Sequence, residues 1–256
     1  MMTISIAERH QHILTRLREQ GHVNVLKLSQ DLNVSTVTIR KDLKYLEERK
    51  LLFRAHGGAS VNNPYINDRP VNEKEKIRVS QKQRIARYAA GLIEPKDSII
   101  MASGTTIIEL ARHIKADNQL TVVTASLNTA LILSKNTQTD IIQLGGMIRK
   151  SSSSVIGNFA EKMLTNFSCS KLFLGVDGID PDFGFTTTND MEATLNQQMI
   201  KAAQKVIILA DSTKFGKRGF SKICSLTDVD MIITDDEVAS PFVSSIEESG
   251  IEIIQR

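Results

Sequence analysis

Residues 34–59 read VSTVTIRKDLKYLEERKLLFRAHGGA. Ser35 stands where a helix N-cap belongs, with a hydroxyl able to accept from a first-turn amide. Ile39, Leu43 and Leu46 follow at i, i+4 and i+7. That spacing draws one apolar stripe along a helix of about three turns and turns it towards a core. At about 100° per residue the opposite face carries Val37, Arg40, Lys41 and Lys44, flanked by the hydroxyls of Thr36 and Thr38. Cations on the outside of a helix ordinarily serve only solvation, so the flanking sequence has to decide their meaning. Upstream, Ile13, Leu14 and Leu17 and then Val25, Leu28 and Leu32 predict two further amphipathic helices, separated at Gln20, Gly21 and His22, with Asn33 and Val34 turning into the third. Downstream, 51–55 is a β-like run, and His56, Gly57 and Gly58 can supply the positive φ of a tight hairpin, which leaves a wing tipped by Arg54 and His56. The unit reads as a winged helix-turn-helix, in which the second helix of the pair enters the major groove of double-stranded DNA. Ser35, Thr36, Thr38, Arg40, Lys41, Lys44, Arg54 and His56 are the expected contacts.

Charge is distributed accordingly. Residues 1–60 hold ten basic and six acidic side chains, and the remaining 196 hold 22 and 23. The basic surplus therefore sits in the first quarter, with four of the five histidines, as expected of a nucleic-acid-binding module. Cys169 and Cys224 have neither CxxC nor Cys/His metal spacing, so free buried thiols and no metal or other cofactor are expected. The first residues lack the apolar core of a signal peptide, and no apolar run approaches the roughly 18 residues a membrane span needs, which predicts a cytoplasmic protein.

Residues 61–72 are polar, aperiodic and carry two prolines, and they read as a linker between domain 1–60 and domain 73–256. A helix is expected over 73–93. Short apolar runs at 98–102, 120–124, 141–144, 171–174, 205–210, 231–234 and 251–254 then alternate with amphipathic segments at 106–114, 127–136, 158–167, 191–205 and 241–248. That alternation implies an α/β domain with a largely parallel sheet covered by helices. In such a sheet ligands bind outside the carboxyl ends of the strands. Ser103, Gly104, Thr105 and Thr106 open a helix after the first strand, where unpaired amides and the positive end of the helix dipole favour an anion such as phosphate. Ser126 opens the next helix, and Gly145 and Gly146 precede Arg149 and Lys150. The later loops offer Asp177 and Asp180, then Asp211, Lys214 and Lys217. Acids that accept from sugar hydroxyls thus share one sheet edge with cations that neutralise phosphate.

With these motifs the chain resembles the DeoR family of bacterial transcriptional regulators. The resemblance rests on Val34, Ser35, Thr38, Ile39, Arg40, Asp42 and Leu43, on Arg54, His56, Gly57, Gly58 and Ala59, on Ser103 to Thr106, and on the groups 144–146, 175–179, 184–189, 210–216 and 233–235, which fall in the family's order. It implies a sensor domain related to ribose-5-phosphate isomerases that binds a phosphorylated sugar without chemistry. Phosphate would sit at Ser103, Gly104, Thr105 and Thr106, and sugar hydroxyls at Asp177 and Lys214. Ala102 and Ala125 depart from the family, which commonly has Asp and Asn there. The expected function is an effector-responsive repressor of a carbohydrate-utilisation operon, acting as a homodimer or homotetramer. The alternative is a sugar-phosphate isomerase with a DNA-binding appendage, its base drawn from Asp177, Asp180 or Glu192 and its oxyanion partner from Lys214 or Lys150.

Overall fold

The structure, a computed structural model, describes residues 5–55, 57–60, 68–115 and 119–256. His56 and most of the expected linker lie outside the described residues. The chain divides into two compact units, Met1–Ile66 and Asn67–Arg256.

In the first unit α1 (Ile6–Gln20), β1 (His22–Asn24), α2 (Val25–Asp31) and α3 (Thr36–Glu48) precede the wing strands β2 (Phe53–Ala55) and β3 (Gly58–Ser60). A capping box between Ser5 and Glu8 starts α1, and Gly21, in the left-handed conformation, ends it. Asn24 caps α2 by accepting from the amides of Leu26 and Lys27. Ile13, Leu17, Val25, Leu28, Ile39, Leu43, Leu46 and Leu52 form one buried core, so the apolar stripe of α3 faces inward as its spacing requires. The sheet order is β1-β3-β2, and β1, only three residues long, falls where the sequence suggested a simple break between helices.

The two wing glycines have different reasons. Gly57 has φ +76°, and a methyl group on Gly58 would stand 1.9 Å from the carbonyl oxygen of Val23. Because that neighbour is ladder backbone, Gly58→Ala is expected to cost about 1–3 kcal/mol through overpacking. Denaturant unfolding of the variant should show the loss in the transition of the first unit, and an unchanged midpoint would remove the argument.

The second unit opens with α4 (Val71–Glu75) and α5 (Val79–Ala90), followed by β4 (Ser98–Met101), α6 (Thr105–His113), β5 (Leu120–Thr124), α7 (Leu127–Leu133) and β6 (Thr139–Gln143). A hairpin, β7 (Met147–Arg149) and β8 (Ser154–Ile156), leads to α8 (Asn158–Leu164), β9 (Cys169–Gly175), β10 (Gly178–Asp180) and β11 (Gly184–Thr187). The chain ends through α9 (Asp190–Lys201), β12 (Ala203–Leu209), β13 (Ser221–Cys224), β14 (Met231–Thr234), α10 (Ser240–Glu247) and β15 (Glu252–Gln255). Seven strands pair in the order β15-β14-β12-β9-β4-β5-β6, every pair parallel. One face packs on α5 and α6. The other packs on α8, α9, α10 and the small antiparallel sheet β10-β11-β13. From β4 the chain steps outward to β6, then returns to β4's other side at β9, so the strand order reverses between β4 and β9.

Three expectations need correction. The helix expected over 73–93 is two helices, because Arg78 adopts φ 54° between them and its guanidinium turns to acids at the strand ends. The linker expected over 61–72 ends inside structure, since α4 starts at Val71 and the Val71 amide donates to the Ser151 carbonyl at 2.6 Å. The strand-end loops expected at 145–150 and 175–180 contain strands β7 and β10, and β8, β11 and β13 fall where no element was expected; all five have three or four residues, too short to show alternation. Cys169 and Cys224 are both buried. Burial pushes both thiols up, that of Cys224 to about 12. Among the described residues no helix is long and apolar enough to cross a membrane.

Candidate functional site

In the first unit Arg40, Lys41 and Lys44 are exposed on α3, and Val37 beside them is 57% exposed. Ser35 caps the helix by accepting from the Thr38 amide at 3.1 Å, and its hydroxyl lies 2.9 Å from that of Thr38. These two side chains therefore start the helix as well as flank its outer face. Thr36 lies 3.5 Å from the Arg40 guanidinium, and Lys44 is 3.9 Å from Glu48. Arg54 is half-buried, and its amide donates to Glu47 at 3.1 Å, which ties the wing to the end of α3.

What fixes the pitch of α3 is a pair the sequence does not advertise. Asp42, on the inner side of α3, accepts from Arg9 of α1 through Nε at 2.5 Å and Nη2 at 2.9 Å, and lies 3.1 Å from His10 Nε2. The two side chains are 9% and 7% exposed. The hydrogen bond to Asp42 raises the Arg9 pKa above its ordinary value, so the guanidinium keeps its charge throughout the physiological range. His10 also stacks on Tyr45, with ring centroids 4.9 Å apart, over which Arg49 lies at 4.4 Å.

In the second unit the strand-order reversal places the end of β4 beside the end of β9. Gly104 caps α6 with φ 126° and ψ 155°, a conformation open essentially to glycine, and no side chain caps the helix. Gly175 leaves room for this loop, since a methyl group there would lie 3.1 Å from the Ser103 carbonyl oxygen. Ser103 and Gly104 are half-buried, and Thr105 and Thr106 are buried. Facing them in the topology is Asp177, just past β9. Its Oδ1 accepts from Lys74 at 2.8 Å and lies 3.9 Å from Lys214 Nζ, and Oδ2 accepts from Thr187 at 3.2 Å. Burial alone would raise the Asp177 pKa. Lys74 and Lys214 outweigh it and hold the carboxyl below its usual range.

The neighbouring strand ends repeat the pattern. Asp235 is fully buried after β14, accepts from the Ser212 amide at 2.8 Å, and lies 3.4 Å from Arg78. Burial opposes its charge, but the Ser212 amide and Arg78 keep its pKa low. Asp211 caps the turn Ser212–Lys214 by accepting from Thr213. Lys82 is buried and donates to the carbonyls of Lys74 and Ile77 at 2.5 and 2.7 Å, and burial lowers its pKa to about 8. Lys217 is likewise lowered, by burial and then by Lys214. Asp235, Asp236 and Glu237 bring carboxylates together, but Arg78 and Arg84 neutralise them.

Some expected residues sit elsewhere. Ser126 is fully buried, its hydroxyl accepts from the Thr129 amide, and it bridges to Ser154 of β8. It is part of the packing beneath the hairpin. Gly145 and Gly146 are exposed, and Gly146 is required for another reason: a side chain there would meet the Ile156 carbonyl at 2.8 Å and Val155 at 2.9 Å. Ala102 and Ala125 lie in the apolar core with Ile100, Val123 and Leu144, so small apolar side chains suit their surroundings. Sequence reasoning missed Asp68, Lys74 and Arg78. The one available signal was the charge concentrated at the start of the helix expected over 73–93.

Comparison with known proteins agrees with both units. The DeoR-like helix-turn-helix domain matches residues 9–65, and the DeoR C-terminal sensor domain matches residues 77–236. The chain is 36% identical to a putative aga operon transcriptional repressor of Escherichia coli O157:H7, over 97% of this chain and 93% of that one. It is 34% identical to an HTH-type regulator of Bacillus subtilis, YulB, over 97% and 96%, and 30% identical to the repressor GlcR of the same organism, over 96% and 95%. Among solved structures, ribose 5-phosphate isomerase A of Methanocaldococcus jannaschii aligns over 56% of this chain and 55% of that one, at 13% identity and a TM-score of 0.39, too loosely to bear on function. With a DNA-binding helix-turn-helix followed by a sensor, and with these matches over nearly its whole length, the chain belongs to the DeoR family of transcriptional regulators.

Proposed function

We propose that the protein represses a carbohydrate-utilisation operon and releases its operator when a phosphorylated sugar binds at the reversal between β4 and β9. The observation that carries this reading is the uncapped N-terminus of α6 at that reversal, while Asp177, just past the neighbouring strand β9, lies 3.9 Å from Lys214. The helix end and its glycine suit a dianionic phosphate. A carboxylate held ionised accepts from sugar hydroxyls. Phosphate binding is assigned to Ser103, Gly104, Thr105 and Thr106, hydroxyl binding to Asp177 and Lys214, and DNA binding to the exposed face of α3 and the wing. Relatives named as transcriptional repressors, one of them putatively of an aga operon, support the reading of a repressor. One recognition helix reads few base pairs, so a homodimer or homotetramer presents the modules to repeated half-sites, in the cytoplasm where the operator lies.

Isomerisation is disfavoured by the state of the candidate bases. Asp177 is held by Lys74. Asp180 accepts from Arg218 at 2.7 and 2.8 Å. Glu192 is buried 3.4 Å from Arg149 and accepts from Ser154. A general base needs a lone pair free to take the substrate's proton, and a cation already stands against each of these three carboxylates.

The test is a thermal-shift screen over phosphorylated sugars and polyol phosphates. A hit at a hundred times its Kd adds about 2.7 kcal/mol of stability. The same compound should release the protein from DNA upstream of its own gene. A screen in which no phosphorylated compound raises Tm refutes the effector assignment, and turnover of ribose 5-phosphate in a coupled assay would replace it with the isomerase.

A further inference from the structure

Residues 68–82 reach the loops after β9, β12 and β14 and the turn between β7 and β8. Asp68 accepts from Arg149 at 2.5 Å and from Thr188 at 3.4 Å, and Val71 donates to the Ser151 carbonyl. At the centre Lys74 donates to Asp177 Oδ1 at 2.8 Å. Arg78 closes the far end against Ser212 at 3.0 Å and Glu237 at 2.9 Å, with Lys82 holding the carbonyls of Lys74 and, past the end of α4, Ile77. This is also the stretch through which the chain continues back to the DNA-binding unit.

Its central contact occupies a position a ligand would use. A hydroxyl donating to Asp177 Oδ1 must enter where the Lys74 ammonium stands. Lys214, 3.9 Å from the same oxygen, is beyond hydrogen-bond reach but close enough to remain as the countercharge. The carboxylate therefore stays neutralised when Lys74 leaves. The Lys74 side chain is 26% exposed, so its departure returns an ammonium to water at small cost. The helix that carries it has five residues, too few to persist without tertiary anchors.

We propose that Lys74 is the latch of a strap formed by residues 68–78, and that a sugar hydroxyl donating to Asp177 displaces its ammonium and frees the strap. Occupancy of the site thereby reaches the segment that leads to the DNA-binding unit. The inference rests on reading the strand-end loops as a sugar-phosphate site, and it gives Lys74 the role of internal competitor, not of ligand contact.

The test uses the full chain as wild type, Lys74→Met and Lys74→Arg. Trypsin cleavage is followed after Lys76, which is present in all three and exposed. Without any small molecule, Lys74→Met should be cut about fivefold faster than wild type, the factor that loss of roughly 1 kcal/mol of ion pairing gives, while Lys74→Arg keeps the latch and the wild-type rate. Ribose 5-phosphate, glucose 6-phosphate and glycerol 3-phosphate serve as probes. Those that raise the wild-type Tm should accelerate its cleavage, leave Lys74→Met unaccelerated, and bind Lys74→Met more tightly. The ligand-free Lys74→Met chain should also differ from wild type in affinity for the duplex upstream of its own gene, in the direction the probe drives wild type. Cleavage of Lys74→Met at the wild-type rate overturns the latch, as does weaker binding of a probe to Lys74→Met. Failure of all three probes to raise Tm counts instead against the sugar-phosphate reading, because the ligand-free cleavage comparison decides the latch without them.

Discussion

Asp42→Ala is expected to destabilise the first unit by about 3–5 kcal/mol, the range for removing one partner of a buried ion pair. The cost arises because Arg9 stays behind, charged and buried, with its Nε and Nη2 donors unmatched. Arg9→Met should cost less, because His10 Nε2 stays 3.1 Å from the Asp42 carboxylate. The double change Arg9→Met with Asp42→Leu should recover most of the loss, since an apolar pair of similar volume carries no uncompensated charge. Denaturant unfolding of the full chain, followed by a probe in the first unit, separates the cases. A single-variant loss below about 1 kcal/mol would mean that the pair does not organise the unit. Because the pair joins α1 to α3, the same variants should lose DNA binding even at temperatures where most of the chain is folded.

The second large effect is the salt dependence of operator binding. Arg40, Lys41, Lys44 and Arg54, presented twice by the proposed dimer, supply up to about eight cations, and neutralising that many phosphates costs about a thousandfold or more in affinity between roughly 50 and 200 mM salt. Arg40→Ala and Lys41→Ala should each weaken binding and make the slope of log K against log salt shallower, by about one for every phosphate that a module no longer neutralises. If the change instead costs about 1–3 kcal/mol on the operator and little on unrelated duplexes, that residue reads a base edge. An anisotropy titration at several salt concentrations measures both quantities, and a slope near zero would exclude α3 as a phosphate-binding surface.

Local periodicity made much of this legible. The three helices of the first unit, the parallel strands and the helix that opens at Thr105 each carry a repeat of 3.6 or a short apolar run bounded by turn residues, so they could be placed from their own residues. Strands β1, β7 and β13 could not, because three or four residues do not establish a period, and the partners of β1 and β13 lie far along the chain. The site divides in the same way. Gly104 and the threonines after it announce a helix start, whereas Lys74 and Asp177 are 103 positions apart and Arg9 and Asp42 are 33 apart. No local pattern records pairings of that kind. Ser126 shows the converse failure, since a hydroxyl at a helix start reads alike whether the loop is open or, as here, covered by a hairpin.

The pairing of β4 with β9 also sets an order of events during synthesis. The core of the first unit closes within residues 5–60, but β4 gains its second neighbour only when the chain has been extended through residue 175. At the usual rate of about 5–20 residues per second, that strand follows the wing by roughly 6–23 seconds. During that interval the nascent chain carries a closed DNA-binding module and an incomplete sensor domain. A chain truncated between the wing and β9 would have the same character permanently: a DNA-binding module cut off from its sensor.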